Sequence, residues 1–170
     1  MIYTGLTDLL TELSSKEKKA AVGKPRHMES RFCRCSYPDN WTLDTDDEEF
    51  DEDHRFCIKS PGVCLVNFNI KESSADPAVS MEKEVKDCVA QLMKEPSREE
   101  FTIWGRYKGR GALLSDNILG MQKGKLKVFS CSTTTHSFTI TEVYYDDDID
   151  KAGPGFKLIE NTFTFMEKKK

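Results

Sequence analysis

The stretch from residue 101 to residue 145 constrains the fold more than any other part of the chain. Four strand-like segments follow one another there, 101–108, 112–122, 125–132 and 137–145, the last dense in Thr, Val, Ile, Phe and Tyr. The breaks between them are a few residues long, Gly109-Arg110-Gly111 and Lys123-Gly124 among them. Parallel neighbours need a crossover of about a dozen residues, so these segments must run antiparallel, as a meander.

Upstream, 54–60 and 63–71 read as a hairpin around Ser60-Pro61-Gly62. A three-residue loop pairs Ile58 with Cys64 and Phe56 with Val66. It places Phe56, Ile58, Cys64, Val66, Phe68 and Ile70 on one face. A two-residue loop would oppose Cys57 and Cys64 and mix the faces, because a slip of one residue flips every side chain. The first register is therefore expected, without a Cys57–Cys64 disulfide.

Between hairpin and meander, Met81, Val85, Cys88, Val89, Leu92 and Met93 recur at helical spacing, with Lys and Glu on the other face. This predicts a helix over 80–95, capped by Asp76-Pro77 or Ser80 and stopped by Pro96, whose stripe is core. A first strand is expected at 31–36, before the turn Tyr37-Pro38-Asp39-Asn40-Trp41. Near the end, Asp146-Asp147-Asp148 can open a helix that Gly153-Pro154-Gly155 interrupts and 156–161 resumes. Residues 162–165 then alternate as a short strand. The order predicts an α+β domain with helices covering an antiparallel sheet.

The 170 residues suit one domain. A main domain over 30–166 is expected, preceded by a helical extension over 1–29 and followed by a basic tail, 167–170. Leu6, Leu9, Leu10 and Leu13 form the extension's apolar stripe, which should dock on the main domain. Gly23-Lys24-Pro25 ends any helix there. No run approaches the ~18 apolar residues of a membrane span. Residues 1–10 carry Asp8 and no basic segment, so the expected compartment is the cytoplasm and the six cysteines are expected reduced.

Charge is segregated. Asp44, Asp46, Asp47, Glu48, Glu49, Asp51, Glu52 and Asp53 put eight acids into ten residues. The chain's net charge is only −4, so the remainder is net positive. Asp44-x-Asp46-x-Glu48 matches the first ligand positions of a calcium loop. Glu49 replaces the required glycine and Arg55 the closing glutamate, so no metal site is expected. No cofactor motif is present either. The acidic run and the neighbouring Trp41 are the candidate partner-binding residues, facing a protein with a basic surface. Trp41 can equally serve the core. A cysteine-dependent enzyme is one alternative, since thiols and three histidines, His27, His54 and His136, are available. The other is a nucleic-acid module that uses Trp104, Arg106, Lys108 and Arg110.

Three segments resemble the PsbP-like fold family. That group includes the DcrB lipoproteins, the Ran-binding nuclear import factor of the Mog type and the Eag-type secretion chaperones. Tyr37-Pro38-Asp39-Asn40-Trp41 resembles the family's Pro-x-x-Trp. Ser60-Pro61-Gly62 leading to Leu65-Val66-Asn67-Phe68 is similar to its central hairpin. The run Gly155-Phe156-Lys157-Leu158-Ile159-Glu160-Asn161-Thr162-Phe163 is similar to its closing helix. The resemblance implies a three-layer α/β/α sandwich and a binding or assembly role, such as an adaptor or chaperone-like factor. It implies no catalytic residues.

Overall fold

The structure is a computed structural model describing residues 19–90, 92, 95–118 and 122–166. In chain order its elements are β1 (Arg26–Glu29), β2 (Cys33–Tyr37), β3 (Thr42–Leu43), β4 (Arg55–Lys59) and β5 (Leu65–Lys71). Then come α1 (Pro77–Val89), β6 (Ser97–Trp104), β7 (Tyr107–Ile118), β8 (Gln122–Ser132) and β9 (Ser137–Tyr145). A 3-10 turn at Asp146–Asp148 leads into α2 (Ile149–Thr162), and β10 (Thr164–Phe165) follows. The expected α+β class holds, with a mostly antiparallel framework.

The strands form two sheets, one in the order β1-β2-β10, the other in the order β3-β4-β5-β9-β8-β7-β6. The larger sheet joins the hairpin to the meander. β9 returns beside β5, from Leu65↔Val143 to Lys71↔Ser137, and all of its pairings are antiparallel.

On one face of this sheet Phe56, Ile58, Val66, Phe68, Phe129, Phe138 and Ile140 are buried with Cys33 and Cys35 of the small sheet and Phe156 and Ile159 of α2. Each such large side chain contributes roughly 1.5–3 kcal/mol by leaving water. On the other face Ala112, Leu114, Leu126 and Val128 meet Met81 and Val85 of α1, with Cys88, Val89 and Leu92 packed alongside. The helical stripe is core, as its spacing implied.

Several boundaries differ from expectation. The hairpin pairs Ile58 with Val66 and Phe56 with Phe68, a shift of two residues. The Ser60 hydroxyl accepts from Cys64 N at 3.1 Å, and Ser60 N donates to the Cys64 carbonyl at 2.9 Å, which widens the loop. A shift of two preserves the faces, and Cys57 stands opposite Asn67. Helix α1 begins at Pro77, with the Asp76 carboxylate accepting from Ala78 N, and ends at Val89. Gly109-Arg110-Gly111 is no turn. β7 runs through it, and the β6–β7 turn is Gly105-Arg106, with Gly105 at φ +55°. A β carbon at Gly111 would collide with the Phe101 ring, so that glycine marks a close approach within a strand. Lys123-Gly124 likewise lies inside β8. Helix α2 is continuous through Pro154.

The region assigned to a helical extension ends as a strand. β1 pairs with β2 from Arg26↔Tyr37 to Glu29↔Arg34. Ala20 is buried and donates its N–H to the Lys151 carbonyl at 3.0 Å. The leucine stripe at 6–13, Met93 and the lysine tail lie outside the described residues.

Candidate functional site

The α1 side of the larger sheet changes character along its width. Under α1, β7 and β8 present Ala112, Leu114, Leu126 and Val128. Beyond β9 the same face turns polar. In paired rows it presents Cys57, Asn67 and Thr141, then Arg55, Asn69 and Thr139, then Lys71 and Ser137. A helix docks where apolar area can be buried, so α1 covers the first half and leaves the second open. Thr141 Oγ1 donates to Glu84 Oε1 at 3.1 Å on the border between them.

The open half is the floor of a groove of about 560 Å³. Ser80, Lys83, Glu84 and Asp87 of α1 line one side, and Asp44, Asp47 and Phe50 of the acidic loop line the other. The groove thus has a polar floor between two walls that each carry two carboxylates.

The acidic loop is built by part of its own charge. Asp44 pairs with Lys59, which holds its carboxyl below the usual range, and its N–H donates to the Cys57 carbonyl at 2.9 Å. Asp47 Oδ1 accepts from Glu49 N at 2.9 Å, and Glu49 pairs with Arg55. Asp51 Oδ1 accepts from Asp53 N at 2.9 Å and from His54 N at 3.2 Å. Asp53 Oδ1 accepts from Arg31 N at 2.8 Å. Asp46, Glu48 and Glu52 are exposed. Short carboxylates that cap their own backbone donors explain how so acidic a segment keeps a defined course.

His54 closes the loop. Its ring nitrogens lie 3.0 Å from Asp51 Oδ2 and 2.9 Å from Glu72 Oε1. Glu72 first, then Asp51, raises its pKa above the ordinary histidine value.

Trp41 does not join this surface. It is 1% exposed, its ring 5.3 Å from and edge-on to Phe156 of α2, and it belongs to the core. The candidate partner anchor is thereby corrected to a packing residue.

The segment 104–110 is also rearranged. Trp104 is fully buried, and its Nε1–H donates to Glu142 Oε1 at 2.8 Å, so it offers no face for a stacked base. Burial pushes the thiols of Cys33, Cys57 and Cys88 to about 11 and that of Cys35 to about 12. This is opposite to the shift that activates a nucleophilic cysteine. His27 contacts Ser36, His54 its two carboxylates, and His136 Thr135. Among the described residues no group of three or more His, Cys, Asp or Glu is placed to hold a metal ion.

Sequence reasoning singled out the acidic run and missed the floor and the helical wall. A signal was present. Asn67-x-Asn69 and Ser137-x-Thr139-x-Thr141 put polar side chains at every second position of strands whose opposite face is apolar. Such a pattern marks a sheet face without an apolar cover.

No family model matches the chain, and no curated protein matches it in sequence. Its fold is similar to that of a protein from Bacteroides thetaiotaomicron VPI-5482 known from a crystal structure. The TM-score is 0.56 at 11% identity, over 84% of this chain and 49% of the other. The chain therefore spans about half the length of that neighbour. At this identity the likeness concerns the fold alone. Among the described residues no helix is long and apolar enough to cross a membrane.

Proposed function

We propose that the protein is a non-enzymatic adaptor or chaperone-like factor that receives a basic segment of a protein partner in the groove between the acidic loop and α1. The observation that carries this reading is the placement of Asp44 and Asp47 on the loop side and Glu84 and Asp87 on the α1 side of one polar floor, four carboxylates against the three cations Arg55, Lys71 and Lys83 of the same lining. Two opposed acidic walls attract a cationic segment and orient it along the groove. Asp46, Glu48 and Glu52 extend the field outward and speed encounter. The resemblance to the PsbP-like family supports a binding role. The three-layer sandwich it implies, with α1 on one side and α2 and the small sheet on the other, belongs to the same proposal. So does a cytoplasmic setting.

Fluorescence anisotropy with two labelled peptides of equal length, one rich in Lys and one rich in Glu, tests the reading. The Lys-rich peptide should bind, with an affinity that falls as salt rises, since screening acts over about 8 Å at physiological ionic strength. Glu84→Gln with Asp87→Asn should weaken it. Failure of the Lys-rich peptide to bind, or equal binding of the Glu-rich one, overturns the reading.

A further inference from the structure

Resting on the proposed groove, we infer that its occupant is an extended strand standing edge-on, its backbone read by Asn67 and Asn69 and its side chains directed alternately at the two acidic walls. Asn67 and Asn69 are two residues apart on one face of β5. Their carboxamides therefore repeat about every 6.8 Å. In an extended peptide, residues i and i+2 point their N–H and C=O groups to the same edge at that same repeat.

A carboxamide both donates and accepts, so each asparagine can serve the N–H and the C=O of one peptide residue. Among the described residues neither carboxamide has a hydrogen-bond partner. The floor around them supplies neighbours of the same kind. Asn69 is paired in register with Thr139, and Asn67 with Thr141.

Side-chain direction favours the same orientation. A strand whose amide edge faces the floor sends successive side chains to opposite sides. One set meets Asp44 and Asp47, and the other meets Glu84 and Asp87, which outnumber the single cation of that wall, Lys83. Carboxylates on a single wall would suit a strand lying flat, or a cationic helix. Carboxylates on both walls with amides beneath suit an edge-on strand with cations at both parities. A flat strand would place every second side chain on the floor, where Lys71 would oppose its charge.

The distinguishing experiment uses a labelled peptide alternating Lys with Arg, which carries cations at both parities, and two derivatives, one N-methylated at the odd amides and one at the even. N-methylation removes the donor and leaves the charge. One derivative should bind about tenfold more weakly than the parent, having lost hydrogen bonds to the floor, while the other should bind like the parent. Asn67→Ala with Asn69→Ala should weaken the parent by a similar factor and abolish the difference between the derivatives. Both side chains are solvent-accessible, and an unchanged melting temperature checks that this variant is folded. If the parent binds and both derivatives bind like it, or both weaken equally, the edge-on strand is wrong while the basic-partner reading stands. If the parent itself does not bind, both are overturned.

Discussion

The indole of Trp41 lies so close over Gly155 of α2 that a β carbon there would stand 2.6 Å from Cζ2, and 2.9 Å from Cγ of Pro38. The run Gly153-Pro154-Gly155, which reads as a helix breaker, is therefore a flat seat for an aromatic ring. Gly155→Ala should lower stability by about 1–3 kcal/mol, because neither the ring nor the proline can yield without shifting the helix. A thermal melt checks this. An unchanged midpoint would show that α2 moves freely on the core.

Glu142 is buried beside Trp104, with the partly exposed Lys127 as its cationic neighbour. Its Oε2 lies 3.6 Å from Lys127 Nζ, which is also 3.4 Å from Glu160. Burial raises the Glu142 pKa, and the lysine opposes that rise. Lys127→Met should destabilise the fold by about 2–3 kcal/mol, somewhat less than for a fully buried pair, since Lys127 is partly exposed. Glu142→Gln keeps an acceptor for Trp104 and removes the buried charge, so its cost at neutral pH should be the smaller of the two. Denaturant titrations of both variants decide the order.

The clasp of His54 with Asp51 and Glu72 makes a pH-dependent statement. A raised folded pKa means that the clasp's contribution is complete below the ordinary histidine value of about 6.5 and is lost as pH rises through the higher folded value. The Glu72 carboxyl is lowered chiefly by His54, and the Asp51 carboxyl by the Asp53 N–H first and by His54 second, so the carboxylate share is present above the ordinary carboxylate range and is lost as pH falls through the lowered values. Arg31 and His136 also act on Glu72, so the variant must leave them intact. Unfolding midpoints of the parent and of His54→Gln should differ most near pH 6 and converge toward pH 9. A constant difference across that range would exclude the clasp.

The acids of the loop should divide into two groups. Replacing Asp46, Glu48 and Glu52 by Asn or Gln should leave the melting temperature unchanged and slow association with a Lys-rich peptide, mostly at low salt. Asp51→Ala should lower stability by about 1 kcal/mol or more, because it strips the caps from Asp53 N and His54 N. Stopped-flow association and thermal melts together read the division. Equal melting temperatures for both sets would show that the loop does not depend on its own carboxylates.

Much of the framework could be read directly. Strand-like segments in close succession implied the meander, although both glycine breaks read between them lie inside β7 and β8; the spacing from Met81 to Leu92 placed α1 on the sheet, and alternation put Phe56, Ile58, Val66, Phe68 and Ile70 on one face. These are local signals, each contained in a window of neighbouring residues. The errors came where a residue answers to something distant. Gly111 looks like a turn until the Phe101 ring lies across it. Trp41 reads as either a surface anchor or a core residue, and only the cover of α2 decides for the core.

The candidate site was half legible for the same reason. Eight acids in one run declare a charged loop, because charge is a property of composition. Where that charge points depends on register and helix placement, which no local window contains. The chain order alone dictates an antiparallel α+β framework and a segregated acidic segment. Only the return of β9 beside β5, and the docking of α1 over the apolar half of the sheet, set Glu84 and Asp87 across from Asp44 and Asp47 above a floor that holds Asn67, Asn69, Ser137 and Thr139 with Arg55 and Lys71. That arrangement joins residues far apart in sequence through long-range packing, and packing is decided by which faces meet.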